Sequence, residues 1–172
     1  TPDTQVAKWR KDIGKECRGL DRSIRSIEIE EAKIKIDVKK QAKSGNLEAA
    51  RMLAVGLAKS AKTKTRILVS KAQMVSVGNE LRNQLSTLRI ANVMSQSTQV
   101  MKVMQEIVCV PEMMATMQEM AREMETMGLI EEMADDAFEP MMGDAEDEVD
   151  ADVEGIFAEL GLGPTEAVAA PE

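Results

Sequence analysis

Residues 6–43 read VAKWRKDIGKECRGLDRSIRSIEIEEAKIKIDVKKQAK and contain no proline. Apolar side chains fall at Val6, Trp9, Ile13, Cys17, Leu20, Ile24, Ile27, Ile34 and Val38. Steps of three and four, broken only by Glu31, place them on one side of an α-helix. Only Gly14 and Gly19 weaken the run. The spacing predicts a first helix over about 6–43, roughly 57 Å long at the helical rise. A single stripe on so long a helix needs a partner.

Outward from that stretch, Ser44-Gly45-Asn46 is the stop: Gly45 suits a left-handed C-cap and Asn46 an N-cap. Leu47 to Cys109 contains no proline, so a second helix is expected over about 46–109. Its apolar positions include Leu53, Leu57, Ala61, Leu68, Ala72, Val75, Leu81, Leu85 and Leu88. So short a turn forces the two helices antiparallel. A turn at Gly45 places Cys17 opposite about Gln73 and lets the first helix cover the second to about Asn83 or Leu85. The rest, from Thr87, overhangs. Cys109 then lies far beyond the open end, which argues against an intrachain disulfide.

The expected fold is all-α: a basic hairpin over 1–110, short Met-rich acidic helices over 111–142, and an acidic C-terminal region over 143–172. Pro111 and Glu112 are a helix start, and Gly128 ends that helix after Met127. Leu129 to Phe138 reads as another short helix, ended by Pro140 and Gly143. Asp144 to Asp152 holds six acids in nine residues and reads as a flexible linker. Val153, Ile156, Phe157 and Leu160 then share one side of a small amphipathic helix, before a Gly/Pro/Ala tail expected to be disordered.

Composition narrows the function. Aromatics are 2% of the 172 residues and histidine is absent. A β-sandwich or barrel would need aromatic and β-branched residues at period two. Without histidine, Ser-His-Asp and Cys-His catalysis and His-ligated metals are excluded. There is no Gly-rich phosphate loop, no CxxC and no nucleophile beside a base, so an enzyme is not expected, nor a metal or cofactor. Two cysteines make no disulfide framework, and no apolar run approaches the roughly 18 residues of a membrane span. The chain reads as reduced, cytosolic and soluble.

The net charge of −8 conceals an asymmetry. Thr1 to Val110 carries 21 basic against 11 acidic residues, a net of +10, and Pro111 to Glu172 carries one arginine against 19 acids, a net of −18. Lys8, Lys11, Lys15, Arg18, Arg22 and Arg25 recur at helical steps, two positions before the apolar seam and so about 200° around from it. Further cations follow at Lys33, Lys35, Lys39, Lys40 and Lys43, then Lys59, Lys62, Lys64, Arg66 and Lys71. A cationic stripe on a rigid rod suits a flat anionic surface, each cation adding about 1 kcal/mol in a salt-sensitive way. A solvated outer face is the plainer reading. Nucleic acid is disfavoured by the missing aromatic stackers and the acidic tail.

Most of the 14 methionines lie between Met94 and Met142. Met113, Met117, Met120, Met124 and Met127 form one helical stripe, suited to an adaptable interface or to a core. Glu131, Glu132, Asp135, Asp136 and Glu139 decorate the following segment. Set against the basic rod, these acids would form a weak, switchable autoinhibitory latch, with Ile156, Phe157 and Leu160 as its apolar part.

A basic helical hairpin followed by short acidic helices resembles ESCRT-III, closest to its Vps24-like class. The segments that carry the resemblance are Trp9, Lys15-Glu16, Arg18 and Asp21-Arg22-Ser23-Ile24-Arg25-Ser26-Ile27 in the first helix. In the second they are Ser70-Lys71-Ala72-Gln73-Met74 and Asn83-Gln84-Leu85-Ser86-Thr87-Leu88-Arg89. Then come Ser97-Thr98-Gln99-Val100-Met101, Pro111-Glu112-Met113-Met114-Ala115-Thr116-Met117 and Gly128-Leu129-Ile130-Glu131-Glu132-Met133. Phe157-Ala158-Glu159-Leu160-Gly161-Leu162-Gly163 looks as much like the sister Vps2-like class.

The resemblance implies a subunit that opens, polymerises into filaments and remodels anionic membranes in endosomal sorting and multivesicular body formation. Its implied partners are itself, Vps2-like and Snf7-like subunits, and an AAA ATPase, directly or through co-subunits. It implies a cytoplasmic protein, peripheral on endosomal membranes. The family's membrane-facing cations fall on Lys15, Arg18, Arg22 and Arg25, with Lys43, Lys59, Lys62, Arg66 and Lys71; the Met stripe would meet neighbouring protomers. Two departures stand out. Thr1 to Gln5 is neither amphipathic nor a myristoylation signal, and Ala167 to Glu172 lacks the Leu/Arg-rich helix that binds the ATPase. Either the chain is truncated or the ATPase is recruited through partner subunits; truncation would weaken the closed state and favour an open one. The alternative to a filament subunit is a non-polymerising helical adaptor that docks an acidic protein through its basic hairpin.

Overall fold

In the computed structural model, residues 1–91, 96–133, 138 and 146–162 are described. They form α1 (Pro2–Lys43), α2 (Leu47–Ala91), α3 (Thr98–Glu106), a 3-10 turn (Pro111–Met113), α4 (Met114–Thr126) and α5 (Glu146–Glu159). No strand occurs among the described residues. The architecture is all-α, and its two long helices form the expected hairpin.

The hairpin turn follows from Gly45. Its φ is 80°, a backbone conformation that costs glycine little and other residues more. There Gly45 N–H donates to Ala42 O at 3.1 Å and Asn46 N–H to Gln41 O at 2.9 Å, satisfying two of α1's last carbonyls. The same pair of bonds closes α4 at Gly128 and α5 at Gly161.

Packing divides the chain into two compact units: Thr1–Asp21 with Arg66–Met141, and Arg22–Thr65 with Met142–Glu172. In the first unit Val6, Trp9, Ile13 and Leu20 of α1 are buried, as the seam predicts. Ile67, Met74, Val77 and Leu81 of α2, Val100 and Met104 of α3, and Met117, Met120 and Met124 of α4 are buried in the same unit. In the second, Val38 and Ala42 of α1, Ala50, Ala54 and Leu57 of α2, and Val153 and Phe157 of α5 form one apolar cluster.

Five expectations need correction. α2 ends at Ala91, not near 109; Ser97 starts a separate helix, its Oγ accepting the Val100 N–H at 3.2 Å. The buried line of α2 is Ala50, Ala54, Leu57, Ile67, Ser70, Met74, Val77 and Leu81, so Ala61, Leu68, Ala72 and Val75 of the expected seam face solvent. Cys109 does not project past the hairpin: the chain returns after α3, and Val108 is bonded to Gln73 of α2. Leu129 to Met133 is not helical; residues 134–137 of that expected helix lie outside the described residues. The expected acidic linker is helical from Glu146, because α5 begins there rather than at Val153. Acids in a first helical turn are favoured by the helix dipole.

Candidate functional site

Of the nine cations singled out as membrane-facing, six are exposed and three are engaged by other groups. In the first unit Lys15 and Arg18 are exposed on α1. Lys71 instead donates to Asp21 Oδ1 at 2.7 Å, and that hydrogen bond raises its pKa. In the second unit Arg22, Arg25, Lys43 and Lys59 are exposed, while Lys62 lies 3.9 Å from Asp152 of α5. Arg66 is half-buried and engaged.

Cations and acids outside the predicted set complete the picture. In the first unit Lys8 Nζ donates to Glu123 Oε1 at 2.8 Å and Oε2 at 3.1 Å, and Trp9 Nε1–H reaches Glu123 Oε2 at 3.3 Å. The Lys8 bond chiefly holds the Glu123 carboxyl below its ordinary range, and the same bond raises Lys8. Thr116 Oγ1 donates to Glu16 Oε1 at 2.7 Å, a second tie from α4 to α1. In the second unit three cations face α5: Arg51 with Asp150 at 2.7 Å and Glu154 at 4.0 Å, Lys62 with Asp152, and Lys35 with Glu159 at 3.7 Å. These side chains are mostly exposed, so each pair contributes about 0–1 kcal/mol.

The seam-breaking Glu31 finds its partner in Lys64 of α2, at 2.9 Å, with Glu31 itself buried. Its position inside an apolar stripe was the signal that a cation faces it. The sequence assigns no role to Ser70 or Gln73: both lie in a segment shared with the family, and Gln73 falls opposite Cys17. Ser70 Oγ donates to Val108 O, while Gln73 donates from Nε2 to Glu106 O at 2.7 Å and accepts at Oε1 from Val108 N–H at 2.7 Å. They hold the extended chain after α3 through its backbone, so no side-chain pattern announces them.

The Met stripe is core in this conformation: Met113, Met117, Met120 and Met124 are buried and Met127 is half-buried. Glu131 and Glu132 are exposed and form no ion pair among the described residues; Asp135, Asp136 and Glu139 lie outside them. Phe157 is buried, with Ile156 and Leu160 packed against the same cluster as α1 and α2. In the second unit α5 therefore packs on α1 and α2. Burial pushes the Cys109 thiol up to about 11 and raises Cys17 as well, so neither is an activated thiolate. No cluster of three or more potential metal ligands occurs among the described residues, and no helix among them is long and apolar enough to cross a membrane.

A family profile described as Snf7 matches residues 8–172. Charged multivesicular body protein 3 of Xenopus tropicalis is 39% identical over 164 residues, covering 94% of this chain and 74% of its own length. The Homo sapiens protein of the same name is 40% identical over the same shares. That of Mus musculus is 40% identical over 94% of this chain and 73% of its own length. With most of the chain matched, and with a basic hairpin carrying acidic helices, the chain belongs to the Snf7 (ESCRT-III) family.

Proposed function

We propose that this chain is a filament subunit that polymerises on anionic membranes and remodels them in multivesicular body formation. The family is one of non-enzymatic structural and adaptor proteins, and the names of the similar proteins point to multivesicular bodies. The observation that carries the membrane reading is the set of exposed cations on α1: Lys15 and Arg18 in the first unit, Arg22 and Arg25 in the second. They lie on the side of α1 away from its buried seam, where a charged surface approaches without disturbing the core. Lys43 and Lys59 belong with them; Lys62 becomes available when Asp152 of α5 leaves, whereas Lys71 is held by Asp21 of α1.

The α5 helix supports an autoinhibitory reading. Its Val153 and Phe157 fill the second unit's core while Asp150, Asp152 and Glu159 occupy Arg51, Lys62 and Lys35. Release of α5 frees those cations for lipid. Release of α4 would expose Met117, Met120 and Met124 to a neighbouring protomer. The working partners are then further copies and other ESCRT-III subunits, with the AAA ATPase reached directly or through them, at the cytoplasmic surface of endosomes.

The test is negative-stain imaging of the full chain with phosphatidylserine vesicles at low and high salt, with and without a Vps2-like subunit. Ordered filaments or coated tubes that fade with salt are expected, and Arg18→Glu/Arg22→Glu/Arg25→Glu should abolish the coat. Bare vesicles and monodisperse protein throughout would favour a docking adaptor instead.

A further inference from the structure

Between Arg22 and Lys43 the solvent side of α1 is charged, with two large exceptions. Ile29 is 60% exposed and Ile36 is 67% exposed. Neither belongs to the seam that packs against α2 and α5. At about 100° per residue, Arg22, Arg25, Ile29, Lys33, Ile36, Lys40 and Lys43 all fall within about 40° of one line. All seven are exposed and all lie in the second unit. The packed side of the same helix, at Ile27, Ile34 and Val38, lies about 140–180° around. Two isoleucines about 10 Å apart are thus set into a straight row of five cations.

The row is little neutralised. Lys33 pairs with Glu30 at 3.5 Å, while Arg22, Arg25, Lys40 and Lys43 form no ion pair among the described residues. The carboxylates of Glu28 and Asp37 sit about 80–100° off the line. A surface that satisfies both kinds of side chain must offer anions in a plane and hydrocarbon just beneath it. An acidic protein patch offers the first but would set carboxylates against the isoleucines. An anionic bilayer offers both, and long basic side chains reach its headgroups while a short branched chain reaches past them.

We propose that Ile29 and Ile36 insert into the acyl boundary of an anionic bilayer while the five cations of the row hold its headgroups. This rests on the membrane reading above and adds the residues that enter the lipid. It gives α1 a component of binding that salt does not screen, because burial of apolar surface does not depend on ionic strength as charge pairing does.

The experiment is flotation of the full chain with vesicles of equal parts phosphatidylserine and phosphatidylcholine, across a sodium chloride series. Ile29→Ser/Ile36→Ser should weaken partitioning about tenfold per isoleucine. The loss should be the same at every salt concentration, leaving the slope with salt unchanged. Arg22→Glu/Arg25→Glu should instead flatten that slope. In Ile36→Trp, fluorescence should be quenched by lipids brominated on the acyl chains beyond the quenching of buried Trp9. Circular dichroism checks that each variant keeps its helices, and the substituted positions are on the surface. If the serine variant floats like the parent, insertion is overturned while the membrane reading stands. If the parent does not float even at low salt, the membrane reading fails and takes this proposal with it. If the parent self-associates without lipid and the serine pair abolishes that, a second copy covers the row and the proposal is overturned.

Discussion

Two short helices close the two units, and they are held by different means. α4 has 13 residues and α5 has 14, so ordering them costs similar chain entropy. α4 buries Met117, Met120, Ala121 and Met124, and Met113 is buried just before it. Among the α5 side chains described, Val153 and Phe157 are buried, with Ile156 packed partly buried beside them. At about 1.5–3 kcal/mol per buried side chain, the four methionines contribute roughly twice the transfer energy of the α5 pair. α4 is also tied to α1 through Glu123 to Trp9 and Lys8 and through Thr116 to Glu16. The polar ties of α5 are ion pairs in water. On the proposed reading, α5 should be the helix released first, and the Met stripe should become a surface only after a costlier step.

The largest way to break this contrast is at Trp9, which is fully buried. Trp9→Ala should cost about 3–5 kcal/mol and strand Glu123 without its indole donor. A urea melt should show the loss, and hydrogen exchange should show α4 deprotected. An unchanged melt would mean that α1 and α4 are not held as described. Phe157→Ala carries a similar local cost of about 3–5 kcal/mol, but it acts on α5 docking alone. Exchange in α5 should rise to that of a free helix while α4 keeps its protection. Equal loss in both helices would show that the two do not release separately.

Next in size is Lys64→Met, expected to destabilise the second unit by about 1–3 kcal/mol because Glu31 is left buried without its cation. Adding Glu31→Leu should recover most of that loss, since a well-packed apolar pair replaces a buried ion pair at little cost. If the double variant melts no higher than Lys64→Met, the pair is not what the seam tolerates at that position. Gln73→Leu should cost about 1–2 kcal/mol by leaving Val108 N–H and Glu106 O unpaired. Its mark is faster exchange at Val108, within the first unit only.

Acid sharpens the same comparison from the α4 side. The folded Glu123 carboxyl titrates below its ordinary value of 4.5, chiefly through Lys8. A depressed carboxylate contributes stability above its unfolded value, and that contribution is lost as pH falls through the folded one. Lowering the pH below about 4.5 should reduce the protection of α4 amides relative to their intrinsic exchange rates, and Glu123→Gln should remove that pH dependence.

How far the sequence reached depended on what kind of side chain did the work. The α1 seam was legible because large apolar residues at helical steps leave no other register: Val6, Trp9, Ile13, Leu20 and Val38 are all buried. On α2 the same logic was right at Leu57 and Leu81 and chose the wrong line between them, at Ala61, Leu68, Ala72 and Val75. The helix packs through Ala50, Ala54 and Ser70, small residues that permit close approach, and leaves the larger Leu68 and Val75 outside. Hydropathy ranks those positions the wrong way round. The end of α2 carried no proline or glycine; the one signal was Ser97, a good cap that was quoted only in a matching segment. The cations themselves were plain in the sequence. Which of them are occupied was not, because Arg51 and Asp150 are 99 residues apart and only the fold brings them together.

The smallest expected effect concerns those long-range pairs. Arg51→Ala and Lys62→Ala should each change α5 docking by about 0–1 kcal/mol, since their partners are largely exposed. Their value lies in what salt does to them. Screening weakens charge pairs between exposed groups but leaves the burial of Val153 and Phe157 in place. Raising the salt should therefore speed exchange in α5 slightly in the parent, and less in the doubly substituted chain, where Lys35 still pairs with Glu159. It should not detach the helix in either. On the proposed membrane reading an anionic bilayer should do more than salt, taking over Arg51, Lys62 and Lys35 at high local charge density. Vesicles of phosphatidylserine should thus speed α5 exchange well beyond the same ionic strength of sodium chloride. Exchange that follows ionic strength alone would mean that the membrane does not compete with the acids of α5 for the hairpin.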